Sequence, residues 1–257
     1  MADQRTCRGC GVEMRGTATR EHILPQWLHP HIELPGVSLN HRAVDEEGVT
    51  LLRSHDLKTF TFKSICSSCN NGWMSQLEAD VKPLLLPLLE GTRSVGSLAE
   101  AETRLLARWA FKTAFMILPG QKTNPVPWHL FETWAAAGAG DPNPAVVFAL
   151  SNLQSTKGFG YVTESDDLED SPVHPVNLRV SICIRSLLLV VLLPLDNRGR
   201  APGIGHPLYR LLWPPNVKPI YVPAEVSTDT AREYGEFIKY LAGFAHAGVP
   251  SGRRQEA

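Results

Sequence analysis

Cys66-Ser67-Ser68-Cys69-Asn70-Asn71-Gly72-Trp73-Met74-Ser75-Gln76-Leu77-Glu78 is the stretch on which the fold turns. Its two thiols, three positions apart, can face one ion from a tight turn. Trp73, Met74, Leu77 and Val81 then recur at steps of three and four, as one face of a helix would. That helix is expected to open at Asn70 or Asn71, to be interrupted or kinked by Pro83 and Pro87, and to end in a Gly91-Thr92 linker. Just upstream, Lys58 to Ile65 sets Phe60 and Phe62 against Thr59, Thr61 and Lys63, a period of two that predicts a half-buried strand running into Cys66. Far upstream, Cys7-Arg8-Gly9-Cys10 repeats the thiol spacing. Together the four cysteines make a closed shell for a structural zinc; the alternatives are unrelated thiols or a redox pair. The 55 residues between Cys10 and Cys66 become an insertion clamped at both ends. Zinc in such a shell supplies on the order of 10 kcal/mol, which suits a segment poor in core residues.

Beyond Gly91 the pattern is that of an ordinary core. Ser97 with Glu100 reads as a capping box for a helix carrying Leu105, Trp109 and Met116 to a stop at Pro119-Gly120. Pro127 suits the first turn of a short helix through Trp134. Strands are expected at 145–150, 159–163, 178–184 and 187–193, with shorter ones at 208–213 and 220–222, and a closing helix at 228–247. The run at 187–193 is apolar throughout and should be buried on both faces. The expected fold class is α+β: a zinc-stapled domain over 1–92, then an α+β domain of unassigned role over 93–257 with an antiparallel or mixed sheet. Trp27, Trp73 and Leu77 are expected to form the small core of the first part. Cys183, His174 and His206 have no partners at a recognisable spacing and read as structural.

Inside the insertion lies Arg20-Glu21-His22-Ile23-Leu24-Pro25-Gln26-Trp27-Leu28. A C-x-x-C pair, then Glu-His-Ile-x-Pro, then a second C-x-x-C followed by Asn at a helix start resembles the HNH endonucleases, whose core is the treble-clef, ββα-metal fold. The fuller strings EHILPQWL and CNNGWMSQLE are similar to a branch of uncharacterised HNH-like proteins of bacteria and phages. The likeness spans about the first 80 residues. It implies a DNA phosphodiesterase in which His22 is the general base, an apt task for an imidazole whose ordinary pKa is about 6.5. Glu21 and Asn70 then help hold a catalytic divalent cation (Mg, Mn, Ni or Zn), with Asn71, Asn40 and Glu78 as accessory candidates. Asn40 enters as the nearest upstream Asn, because Thr59 to Ile65 contains none. Glu78 lies about 80° round the helix from Asn70, as a substitute ligand or as an ion-pair partner of Arg20 or Lys82. His22 also has a structural reading, capping a backbone group. His29, His31, His41 and His55 read as loop or surface residues, with His29 or His31 joining a metal site if their segment folds back.

Charge narrows the partners. The chain of 257 residues has 25 Lys and Arg against 26 Asp and Glu, so no chain-wide basic field points to nucleic acid. Up to Asn70, eight basic residues meet eight acidic ones, but Arg5, Arg8, Arg15 and Arg20 all precede His22 while Asp45-Glu46-Glu47 and Asp56 lie mid-insertion. A one-sided basic face is therefore open to DNA. The second half offers a surface for a homodimer or a protein partner. The longest apolar run, Leu187 to Leu195, is nine residues, short of the roughly 20 a membrane helix needs. No apolar segment follows the first residues, so the expectation is a cytoplasmic protein with reduced thiols. The competing class is a non-catalytic, zinc-nucleated module that binds nucleic acid or protein.

Overall fold

The computed structural model describes residues 5–14, 19–32, 38–45, 48–56, 59–120, 126–151, 159–166, 177–195 and 210–214, the backbone alone in the strands at 38–45 and 48–56. The N-terminal part contains β1 (Arg5–Thr6), β2 (Glu13–Met14), β3 (Thr19–His22), β4 (Ser38–Asp45), β5 (Gly48–Asp56) and β6 (Thr61–Ile65), paired antiparallel as β1-β2, β3-β6 and β4-β5. The expected strand before Cys66 is therefore present, and its alternation is kept: Phe60 is buried, and Phe62 stacks on Trp128 with ring centroids 5.3 Å apart.

After β6 the chain makes a single turn, α1 (Ser67–Cys69), then a π-helical turn at Asn70–Met74, in which Gly72 leaves helical dihedrals (φ −92°, ψ −115°). Helix α2 (Ser75–Glu90) follows, burying Leu77, Val81, Leu84, Leu85, Leu88 and Leu89 along one face. Of the two outcomes expected at Pro83 and Pro87, an interruption is not seen: the helix continues through both. Their missing N–H groups would have met the carbonyls of Ala79 and Pro83, both exposed residues, where water replaces the lost bonds. Gly91, at φ 74°, ends the helix in the left-handed region, which the absent Cβ makes easy.

Helix α3 (Glu100–Ile117) starts later than the Ser97 box implied. Ser94 caps a 3-10 turn at Val95–Ser97, and Glu102, not Glu100, reaches back to accept from the Ala99 N–H at 2.8 Å. From Trp109 to Ile117 every residue of α3 is fully buried, so the second half of this helix is wrapped on all sides. Helix α4 (Trp128–Ala136) begins directly after Pro127. Five strands, β7 (Val146–Leu150), β8 (Phe159–Asp166), β9 (Asn177–Ile184), β10 (Leu187–Pro194) and β11 (Arg210–Trp213), form one antiparallel sheet in the order β11-β7-β10-β9-β8. The all-apolar β10 is the middle strand, which explains its composition. The expected strand at 220–222, the closing helix, His174 and His206 lie outside the described residues.

One buried apolar cluster includes Cys7, Ile65, Met74 and Leu77 together with Trp109, Phe131, Val180 and Leu189. Trp73 packs edge-on against Trp134 of α4 at 5.3 Å. Trp73 and Leu77 thus belong to a core that runs across residue 92 and includes the α3 helix and the sheet. No helix among the described residues is long and apolar enough to cross a membrane.

Candidate functional site

The two thiol pairs meet. The Sγ atoms of Cys7, Cys10, Cys66 and Cys69 all lie within 4.8 Å of one another, and Cys10 and Cys66 are 3.7 Å apart. Zn–S bonds of about 2.3 Å place tetrahedral sulfurs roughly 3.8 Å apart, so the spacing fits a metal ion such as zinc. Local backbone prepares the sulfurs: Cys7 Sγ accepts from the N–H groups of Gly9 at 3.3 Å and Cys66 at 3.2 Å. The first knuckle is closed by Gly11, at φ 70°, whose N–H donates to the Cys7 carbonyl at 2.8 Å. It is pinned to β6 by the Arg8 N–H on the Ser64 carbonyl at 2.9 Å. Gly9 lies close against the second knuckle: a Cβ there would stand 3.0 Å from Cys69 Sγ, tighter than an ordinary contact. Burial works against a Cys66 thiolate, but hydrogen bonds from the Cys69 backbone and from Cys7 and Cys10 outweigh it and bring its thiol down to about 7. Burial pushes the Cys69 thiol up, reinforced by its hydrogen bond with Cys10. Four sulfurs this close cannot all ionise without a cation among them.

At the other end of the same strand pair the two residues of the Glu-His motif part company. In the register Glu21 lies opposite Phe62 and His22 opposite Thr61, so successive side chains take opposite faces. His22 is half-buried. Its ring sits 3.3 Å (Nε2) from the amide nitrogen of Gln26, which comes from the 3-10 turn Gln26–Ile32. The ring of His29, on the same turn, approaches edge-on at 6.1 Å between centroids. The EHILPQWL segment therefore does fold back, bringing His29 beside His22.

Glu21 points inward and is 4% exposed. It accepts from Lys112 Nζ of α3, and the same ammonium donates to Glu78 Oε1 of α2 at 2.7 Å. Burial raises the Glu21 carboxyl above its ordinary value, with Lys112 pulling the other way. Burial also opposes the charge on Lys112, but Glu21 and Glu78 outweigh it and raise Lys112. The ion-pair partner of Glu78 is thus Lys112, neither Arg20 nor Lys82; Lys82 instead lies over the Trp27 ring at 5.4 Å.

Asn70 is half-buried at the start of the π turn, with its N–H on the Cys66 carbonyl at 3.0 Å, and Asn71 is exposed. No hydrogen bond among the described residues joins Asn70 to His22 or Glu21. Asn40 lies in β4 opposite Ser54, and its side chain, like those of His41 and His55, is outside the described residues. Arg8 leaves the proposed basic face: it pairs with Glu132 at 2.8 Å and lies over the Trp128 ring at 5.2 Å. Arg20 and Lys63 are exposed on the β3-β6 pair and form no ion pair among the described residues.

Sequence reading missed Lys112 and Gln26. The signal for Lys112 was present: a single charge inside Trp109-Ala110-Phe111-Lys112-Thr113-Ala114-Phe115, where a lysine survives only with an anionic partner. No family model, curated protein or solved structure matches this chain.

Proposed function

We propose that this chain is a zinc-stapled phosphodiesterase acting on DNA, with a treble-clef, HNH-like first segment and His22 as its general base. The observation that supports this best is the placement of His22: half-exposed at the end of β3, on the opposite face from buried Glu21, with Gln26 and His29 against its ring. Strand alternation sets Arg20 on the face of His22, and Lys63 on the face of Thr61, the residue opposite His22. The two cations are suited to grip phosphates on either side of a scissile bond while the neutral imidazole takes a proton from water.

A divalent ion in such a site offsets the charge that develops on phosphoryl oxygens. The donors do not fit that role as first assigned, because Glu21 is turned inward and bonded to Lys112, and among the described residues only the four cysteines form a cluster of metal-ligating type. Glu21 is therefore read as an anchor of the strand that carries the base. The engaged Glu21 also favours a second reading, the non-catalytic zinc-nucleated module. Plasmid nicking by the zinc-loaded chain in Mg²⁺, Mn²⁺ or Ni²⁺ separates the two. Cleavage is expected for the wild type and a loss of about a hundredfold or more for His22→Ala; equal cleavage by both, or none by either, rejects the catalytic reading.

A further inference from the structure

Three charged side chains from three elements converge where β3, α2 and α3 pack. The Lys112 side chain is fully buried, and those of Glu21 and Glu78 are 6% and 19% exposed. An ammonium alone at such a depth costs several kcal/mol, and two carboxylates so near one another repel unless a cation lies between them. Carboxylates converging from separate elements on one point are what a hard divalent cation selects, and here that point is taken by Nζ. We infer that Lys112 is the resident cation of the Glu21–Glu78 pair and keeps divalent metal ions out of it.

The shift of Lys112 agrees, since the two carboxylates hold it charged against the effect of burial. Two consequences follow. Any divalent ion that serves His22 is held without Glu21 or Glu78. And the part of the chain beyond residue 92 contributes a side chain to the motif that carries the candidate base. The inference stands whether or not the chain cleaves DNA.

The test uses the zinc-loaded full chain with MnCl₂, read by electron paramagnetic resonance and by thermal unfolding. Wild type and Glu78→Gln are expected to bind Mn²⁺ alike, because the pair is closed to it. Lys112→Ala is expected to unfold at lower temperature, to recover part of that loss in Mn²⁺, and to bind an additional Mn²⁺ that Lys112→Ala/Glu21→Gln/Glu78→Gln does not. Wild-type Mn²⁺ binding that weakens in Glu78→Gln overturns the inference, as does a folded Lys112→Ala that binds no more Mn²⁺ than wild type. The Glu78→Gln comparison keeps Lys112 in place, so it can overturn the inference even if Lys112→Ala does not fold. Neither readout depends on cleavage, so the inference and the nuclease proposal fail separately.

Discussion

Two anionic clusters hold the β3-β6 pair, one at each end, and they are neutralised in different ways. The four sulfurs beyond Ile65 are arranged to take a cation from solution. The two carboxylates at Glu21 and Glu78 take theirs from α3 of the same chain. A metal brings bond energy that a lysine cannot, but its occupancy depends on supply and on deprotonated ligands. An ammonium delivered by a helix is always present, and its cost is folded into the packing of that helix. With a metal bound, the knuckle would be a clamp that chelators can open, whereas the Lys112 cluster would yield only to unfolding or mutation.

The largest test of this contrast is at the knuckle. Metal analysis is expected to find one zinc per chain, and chelation or Cys69→Ser to cost on the order of 10 kcal/mol, enough to unfold the segment around β3 and β6 in circular-dichroism melts. Retention of the wild-type melting profile after chelation would break the comparison at once. Next comes the internal clamp. Lys112→Met leaves the buried Glu21 and half-buried Glu78 carboxylates with no cation and should cost about 3–5 kcal/mol in urea unfolding, whereas Lys112→Met/Glu21→Gln/Glu78→Gln should recover most of it. Equal losses would mean that Lys112 matters for packing and not for charge.

Gly9→Ala sharpens the knuckle side. A Cβ 3.0 Å from Cys69 Sγ must push the sulfur, so zinc competition assays should show weaker binding and melts a loss of about 1–3 kcal/mol. The smallest effect belongs to a half-exposed pair that serves as a contrast to buried charge. Arg93 forms a two-pronged bond with Glu102, which holds the Glu102 carboxyl below its ordinary value. A depressed carboxyl stabilises the fold above its unfolded value and loses that contribution as pH falls through its folded one. A slight drop in stability below about pH 4.5 is therefore expected to vanish in Glu102→Gln, read by denaturant titration at stepped pH.

Much of this architecture was legible in the residue order. The knuckles are local, two thiols on one turn, and their common spacing states their common use. The strand before Cys66, the amphipathic face after it and the all-apolar β10 follow from periodicity, because a period of two or of three to four reports which face meets the core. The errors were at prolines and caps. The carbonyls freed by Pro83 and Pro87 belong to exposed residues, and exposure is a tertiary fact. At the N-terminus of α3 it is Glu102 that accepts from the Ala99 N–H while also bonded to Arg93, and Glu100 is paired with Arg104 along the helix.

The sequence by itself determined that four thiols would be offered to one ion and that a Glu-His pair would lie in the segment between the two knuckles. Tertiary structure alone decided what that pair does. Alternation along β3 made Glu21 and His22 face opposite ways, but which face became interior depended on α3 arriving with Lys112, 91 residues downstream of Glu21 and 34 downstream of Glu78. Spacing within a turn is written in the chain; the meeting of charges so far apart is set by how helices and strands bury their apolar faces, and only then does a lysine find its carboxylates.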